Sequence, residues 1–244
     1  MPPAKAPRDN HRRRATSSPW LVLPLILLIA AAVCAIGFAG YVFWPRWPSA
    51  PVAQDAPSLP VTVGGVGFNI PPAAIRQSVQ RNPGNHARMD LTFMWPSLAP
   101  PDAAAQTSIS SETPLEEIRA PDRVFMTIAA VAGTLSPQER RRTIYPRYVA
   151  AERSAGPGGL ILIPFRDDTP YRGEDYIIEA DRPDAFAVRC TRPAAGGVPG
   201  TCLHEQRIGE ADITTRFPRD WLDDWQETAA AIEKLVQSIR AHPH

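Results

Sequence analysis

Near its C-terminal end the chain reads Thr201-Cys-Leu-His-Glu-Gln-Arg-Ile208, then Gly209-Glu-Ala211, then Asp212-Ile-Thr-Thr-Arg-Phe217. The two outer runs have the composition of strands, and the connection between them is short and contains glycine, so this stretch predicts an antiparallel hairpin. Similar runs joined by short, turn-rich connections precede it at 160–163, 175–179 and 185–190. The region is therefore predicted to be a meander of antiparallel strands.

The segment that follows Pro218 has the most regular apolar spacing in the chain, with apolar residues three or four positions apart as on one side of a helix. Polar residues such as Asp223, Glu227 and Lys234 lie on the other side. This spacing predicts a C-terminal amphipathic helix whose apolar stripe packs across the sheet. The stripe consists of Trp221, Leu222, Trp225, Ala229, Ile232, Leu235, Val236 and Ile239.

Further strands are predicted on the N-terminal side of the meander. Two short ones, 61–63 and 66–70, flank the turn Gly64-Gly65. Apolar and polar residues alternate over 88–95, which predicts a half-buried strand, and the apolar run 124–131 predicts a central strand. The predicted fold class is α+β, with an antiparallel sheet packed by a C-terminal amphipathic helix.

An apolar segment lies near the N-terminus, between Leu21 and Trp44, inside a stretch without charged residues at 15–45. As a helix, its 24 residues would span about 36 Å, which is enough to cross a hydrocarbon core of ~30 Å. Residues 20–44 are therefore predicted to form a transmembrane helix.

Charge predicts the orientation of this helix. The first 45 residues contain five basic residues and one acidic residue, which leaves 21 basic and 24 acidic residues in the rest of the chain. Because positively charged flanks stay inside the cell, the tail 1–19 is predicted to be cytoplasmic and the C-terminal part to be exported. The alternative is a signal peptide cleaved near Gly37-Phe-Ala39, but the apolar region of a signal peptide is shorter, about 7–15 residues.

The exported part divides by composition. Five of the 28 prolines fall in 45–60, which predicts an extended stalk or, alternatively, a flexible tether. Residues 61–240 are predicted to form one periplasmic domain. Its loop 96–121, rich in Pro, Ala, Ser and Thr, is interpreted as flexible, the alternative being a functional loop.

Two of the three cysteines, Cys190 and Cys202, lie in neighbouring predicted strands. If these strands pair antiparallel, the thiols face each other and form a disulfide in an oxidising compartment. A redox pair or half of a metal site is the alternative. Redox pairs usually have C-x-x-C spacing, however, and a zinc ribbon needs a second cysteine pair.

The densest basic cluster of the exported part follows Ser136-Pro-Gln-Glu139, which has the pattern of a helix capping box. The cluster consists of Arg140, Arg141, Arg142 and Arg147. Beside Tyr145 and Tyr148, these side chains are predicted to bind an anionic group, such as a lipid headgroup, an acidic glycan or the carboxylates of a partner. A solvated helix face is the alternative.

Catalytic motifs such as G-x-S-x-G, H-E-x-x-H and the Walker pattern do not occur in the sequence. Neither His86 nor His204 has a second ligand at metal-binding spacing, so no metal and no cofactor are predicted. An enzyme would need a site assembled from distant loops, for which His86, His204 and the Asp167-Asp168 turn are the candidate residues.

A basic tail, one anchor, a proline-rich stalk and an α+β domain with one disulfide resemble the organisation of many bacterial envelope proteins. We therefore predict a single-pass inner-membrane protein that contacts the bilayer through 20–44. Its periplasmic domain is predicted to be a non-catalytic binding or accessory module for an envelope protein partner. A membrane-tethered periplasmic hydrolase is the alternative. Nucleic acid is excluded as a partner because the domain would lie on the far side of the membrane.

Overall fold

The computed structural model describes residues 19–43, 52–102, 122–193 and 200–241. The chain forms two units, Met1–Ser49 and Ala50–His244. In the first unit a helix, α1, covers Pro19–Phe43, and its side chains are described for 23–39 and 41. Among the described residues, no helix has both the length and the apolar character needed to cross a membrane. The predicted transmembrane helix 20–44 therefore stays a prediction.

The second unit contains an eight-stranded sheet in which each pair of neighbouring strands is antiparallel. Its strands are β4 (Arg88–Met94), β5 (Arg123–Ala130), β6 (Ser154–Ala155), β7 (Leu160–Pro164), β8 (Glu174–Glu179), β9 (Ala187–Thr191), β10 (Thr201–Ile208) and β11 (Ala211–Pro218). The strand order is β4-β5-β11-β10-β9-β8-β7-β6. The predicted α+β class and the antiparallel meander are confirmed.

A second, three-stranded sheet has the order β2-β1-β3, with β1 at Leu59–Val63, β2 at Val66–Ile70 and β3 at Gly84–Asn85. The hairpin β1–β2 turns at Gly64-Gly65, as predicted. Strand β1 begins inside the predicted stalk 45–60. The side chain of Gln54, also inside it, donates a hydrogen bond to the carbonyl of Pro100 at 2.9 Å. Residues 45–51 of that stalk lie outside the described residues, and so do residues 103–121 of the predicted flexible loop.

The described residues of the second unit form the helices α2 (Pro137–Thr143), α3 (Tyr145–Tyr148) and α4 (Trp225–Ile239). Short 3-10 helices lie at Pro72–Ala74, Ser78–Gln80, Pro157–Gly159 and Arg219–Asp224. The helix predicted to begin at Pro218 therefore starts with 3-10 geometry and becomes α-helical only at Trp225. Its apolar stripe is buried, as predicted, with Ile232 and Val236 1% and 2% exposed.

Helix α4 lies across two adjacent parts of the core. Trp225 and Ile232 pack with residues of β8, β9 and β10, such as Ile177. Leu235, Val236 and Ile239 pack instead with the three-stranded sheet and with β4, β5 and β11. One amphipathic helix thus contributes side chains to both parts of the core.

Two expectations about the strands are corrected. The strand 88–95 was predicted to be half-buried, but Asp90 and Thr92 are also buried, at 7% and 4% exposure. Burial of Asp90 is possible because its carboxylate accepts hydrogen bonds from Arg88 at 2.8 Å and Thr127 at 3.0 Å. The strand 124–131 was predicted to be central, yet β5 is the second strand from the β4 edge.

Candidate functional site

One face of the large sheet carries a row of residues in register across three strands. Tyr176 of β8 lies opposite Arg189 of β9, and Arg189 lies opposite Leu203 of β10. Residues paired in this way point to the same side of a sheet, and Glu205, two positions along β10, shares that side. The other side of these strands packs against α4. The row, which consists of Tyr176, Arg189, Leu203 and Glu205, is therefore not covered by α4. It lies beneath α2 and α3 instead.

The predicted capping box is present at the start of α2. The Oγ of Ser136 accepts a hydrogen bond from the amide of Glu139 at 3.1 Å, and the amide of Ser136 donates to the Glu139 carboxylate at 2.7 Å. These bonds lower the pKa of Glu139. The next helix, α3, is a single turn that ends at Tyr148. Tyr145 of this short helix is 3% exposed and lies over the row.

Glu205 joins the helices to the sheet. Its Oε1 accepts a hydrogen bond from Arg140 at 3.1 Å, and its Oε2 accepts one from the hydroxyl of Tyr145, also at 3.1 Å. Arg140 also lies 3.8 Å from a carboxylate oxygen of Asp212. Burial, followed by the negative charge of Glu205, raises the pKa of Tyr145 to about 12. The tyrosine therefore keeps its proton and remains a donor to Glu205.

Arg189 is surrounded by aromatic rings. Its guanidinium lies 4.8 Å from the ring centroid of Tyr171 and 5.9 Å from that of Tyr145, which are cation–π distances. Its Nε lies 3.2 Å from Glu174, so the charge is paired. Burial raises the pKa of Glu174, and Arg189 acts in the opposite direction. Arg189 is thus held in place as a structural cation.

A pocket with about 220 Å³ of empty space, including its open mouth, lies between α2 and the row. Arg141, Tyr176 and Arg189 line it together with Glu205 and Leu203. The Nε of Arg141 is buried and has no acceptor among the described residues. Burial raises the pKa of the Tyr176 hydroxyl, while the charge of Arg141 acts to lower it.

The structure divides the predicted basic cluster. Arg140 is already paired with Glu205, Arg141 lines the pocket, and Arg142 makes an exposed ion pair with Asp184 at 3.1 Å. Arg147 is exposed on α3, and its carbonyl accepts a hydrogen bond from Arg166. The four arginines therefore have different surroundings, and Arg141 is the one that faces the pocket.

Cys190 and Cys202 form a disulfide between β9 and β10, where they are paired in register. Both cysteines are 0% exposed and belong to the core beneath α4. The predicted disulfide is confirmed. Its sulfur atoms lie on the side of the sheet away from the pocket, in surroundings that suit a structural crosslink.

His204 and His86, the histidines among the described residues of the second unit, are in different places. His204 lies on β10 with its ring stacked on Phe186 at 5.9 Å. The residue retains some exposure, but its Nδ1 is buried, and burial, followed by the charge of Arg141, lowers its pKa to about 4. His86 lies between β3 and β4, where its Nε2 is 2.9 Å from the carbonyl of Asn82.

The candidate residues for a hydrolase are not brought together. His86 precedes β4, and three strand spacings of ~4.8 Å separate β4 from β10. Asp167 and Asp168 follow β7, at the other end of the sheet, and their side chains are 90% and 75% exposed. Among the described residues there is also no group of three or more His, Cys, Asp or Glu that could hold a metal ion.

The sequence reasoning missed most of the residues that build this site. Arg189 and Tyr176 lie in the predicted strands 185–190 and 175–179, which were given no functional role, and Glu174 and Tyr171 lie just before the second of these strands. Glu205 lies in the predicted strand 201–208 and was likewise given no functional role. The available signal was the period of two along β8, β9 and β10, which places Glu174 and Tyr176 on one side, with Arg189, Leu203 and Glu205 in register on the adjoining strands.

Comparison with known proteins gives a similarity of fold. No protein-family model and no curated protein matches the chain. Among similar solved structures is Smlt3025, an immunity protein of the Stenotrophomonas maltophilia type IV secretion system, with a TM-score of 0.51 and 15% identity over 76% of this chain and 94% of that chain. Another is the Neisseria meningitidis iron-regulated outer membrane lipoprotein FrpD, with a TM-score of 0.45 and 12% identity over 78% and 95%.

Proposed function

We propose that this chain is a membrane-anchored bacterial envelope protein whose exported α+β domain acts by binding another protein. Residues 20–44 would hold it in the inner membrane, with 1–19 in the cytoplasm and the domain in the periplasm. The proposal is supported by the apolar N-terminal segment with its basic flank. It is also supported by the disulfide Cys190–Cys202, because such bonds persist in oxidising compartments.

The observation that carries the binding role is a half-exposed face on β5, β11 and β10. Along β5 and β11, every second residue is buried and the residues between them retain exposure. Phe125 lies opposite Arg216, and Arg216 lies opposite Leu203. Among the described residues, the side chain of Arg216 has no hydrogen bond, ion pair or ring contact.

This composition suits a protein interface. Aromatic and arginine side chains contribute most of the binding energy at many protein–protein contacts. Phe125 is also covered by the guanidinium of Arg76, 5.0 Å from its ring centroid, which adds a second cation to the same surface. We call this surface, formed by Arg76, Phe125, Leu203 and Arg216, the open face.

The similarity to Smlt3025 supports the proposal at the level of fold. That similarity covers 94% of a protein described as an immunity protein of a bacterial secretion system. A protein-binding role for this chain agrees with that description.

The binding role is tested by crosslinking in living cells, followed by capture of the full-length protein through its C-terminus and mass spectrometry. We expect a stoichiometric envelope protein that is lost with Arg216→Glu on the open face. Lys234→Glu is the matched control, because it makes the same charge change on the exposed side of α4. A partner retained by both variants would place the interface elsewhere, and the absence of any partner above background would contradict the proposal.

The membrane orientation needs a separate test. Alkaline extraction should leave the wild-type chain in the membrane fraction, and protease added to spheroplasts should digest its C-terminal domain. Leu28→Arg should release the chain, because an arginine at the centre of a transmembrane helix opposes insertion by about 2.5–3.5 kcal/mol. Extraction of the wild type by alkali would contradict the anchor, and a mass that lacks the N-terminal segment would show cleavage instead.

A further inference from the structure

We propose that the pocket beneath α2 binds one carboxylate, the side chain of an aspartate or glutamate on the protein partner, through Arg141 and Tyr176. This inference rests on the proposed binding function and adds the chemistry of the partner at one position. The pocket adjoins the open face, because Leu203 lines the pocket and also lies opposite Arg216.

The charges that line the pocket leave one cation without a partner. Arg140 is paired with Glu205, and Arg189 is paired with Glu174. Among the described residues, the side chain of Arg141 makes no ion pair or hydrogen bond, and its Nε is buried. A buried donor without an acceptor is unfavourable, and more so when it is charged. An incoming acceptor with one negative charge would complete this arrangement.

Tyr176 supplies a second donor to the same space. Its ring contacts Tyr145 and Phe165 at centroid distances of 5.3 and 6.3 Å, which fixes its orientation. Its hydroxyl has no hydrogen-bond partner among the described residues. Because burial raises its pKa, the hydroxyl stays protonated at neutral pH and can donate. A carboxylate has two oxygens, one for the guanidinium of Arg141 and one for this hydroxyl.

The charges around the pocket favour a carboxylate over a more highly charged anion. Glu205 lines the pocket, and Glu174 lies beside Arg189. These carboxylates would repel the second charge of a phosphate, which carries about −1.5 to −2 at neutral pH.

The direct test uses the full-length protein in detergent micelles with ¹⁵N-labelled arginine. The Nε–H resonance of Arg141 is assigned by its loss in Arg141→Gln, and sodium acetate is titrated against sodium chloride at constant ionic strength. We expect a saturable shift of this resonance with a Kd on the order of millimolar, which corresponds to about −4 kcal/mol.

Two further variants make the test specific. Tyr176→Phe keeps the ring and removes only the hydroxyl, so we expect acetate affinity to fall several-fold. Arg142→Gln is the matched control, since Arg142 is the next residue of the same helix and is exposed and paired with Asp184. The acetate affinity of this control should equal that of the wild type. Inorganic phosphate in place of acetate should bind more weakly.

The inference is overturned if acetate gives no saturable shift, if Tyr176→Phe leaves the affinity unchanged, or if phosphate binds more tightly than acetate. Failure of the pocket and failure of the proposed function give different results. If the wild type and Arg141→Gln capture the partner equally, the proposed binding function is supported and the carboxylate site is contradicted. If acetate binds but no partner is captured, the carboxylate site is supported and the proposed binding function is contradicted.

Discussion

The hydroxyl of Tyr145 donates a hydrogen bond to Glu205 at 3.1 Å, although the two residues are 60 positions apart in the chain. The same carboxylate accepts a hydrogen bond from Arg140. Through this one acidic side chain, the short helices α2 and α3 are fixed to the middle of the large sheet. Seven- and four-residue helices do not persist alone in water, so their position depends on contacts of this kind.

Replacing Glu205 by Gln should destabilise the domain by about 1–3 kcal/mol, because Arg140 loses a charged acceptor and Tyr145 is left with a weaker one. The side chains of Arg140 and Glu205 are 23% and 19% exposed, so solvent screening places the effect in the lower part of that range. Urea unfolding of both proteins measures it. The control is Asp168→Asn, whose ion pair with Arg166 is exposed and should contribute less than about 0.5 kcal/mol. Equal effects of the two variants would contradict the role of Glu205.

Removing the disulfide by a Cys190→Ala, Cys202→Ala double substitution should lower the free energy of unfolding by about 3 kcal/mol. In the chain-entropy model, the bond restricts the unfolded chain by closing a short loop. The sequence separation of the cysteines is 12. Urea unfolding with and without dithiothreitol checks this, and reductant should destabilise the wild type but not the double variant. Cys34→Ala is the control, since Cys34 is the free cysteine.

Acid should destabilise the domain through His204. Its pKa in the folded protein is about 4, below the ordinary value of 6.5. Between these two pH values the unfolded chain binds a proton that the folded chain does not. The stabilisation by neutral His204 is therefore complete above about pH 6.5 and decreases as the pH falls towards 4. The loss should be about 2 kcal/mol at pH 5, as an order of magnitude.

The variant His204→Phe separates this contribution from other titrating groups. It keeps an aromatic ring to stack on Phe186 and removes the titration. Urea midpoints at pH 7 and pH 5 should differ clearly less for His204→Phe than for the wild type. Asp90, whose pKa is lowered chiefly by its hydrogen bond with Arg88, loses its contribution mainly below its ordinary value of 3.8. An equal loss in both proteins at pH 5 would contradict the assignment to His204.

The strands and the disulfide were predictable because local patterns determine them. The hairpin around Gly209, the turn at Gly64-Gly65 and the stripe from Trp225 to Ile239 follow from periodicity and turn composition alone. The capping box of Ser136 is equally local. Each of these features depends on residues within a few positions of one another.

The pocket and the open face were not predictable in the same way, since both depend on which strands become neighbours. The strand order places β11 between β5 and β10, so Arg216 comes to lie between Phe125 and Leu203. Likewise, the contact of Arg140 with Glu205 spans 65 positions. The sequence showed a run of arginines, but only the packing of α2 on the sheet determines that Arg140 is paired while Arg141 faces the pocket.

The turn between β1 and β2 offers a test of how the small sheet contacts the large one. Gly64 and Gly65 have φ values of +56° and +73°, so a side chain is strained at either position, by roughly 1–2 kcal/mol. A Cβ at Gly65 would meet no other atom within 4 Å, whereas one at Gly64 would overlap the backbone carbonyl of Glu210 in the β10–β11 turn. Gly64→Ala should therefore destabilise the domain by clearly more than Gly65→Ala, which serves as its matched control. Urea unfolding compares them, and equal losses would show that this turn does not contact the large sheet as closely as the structure indicates.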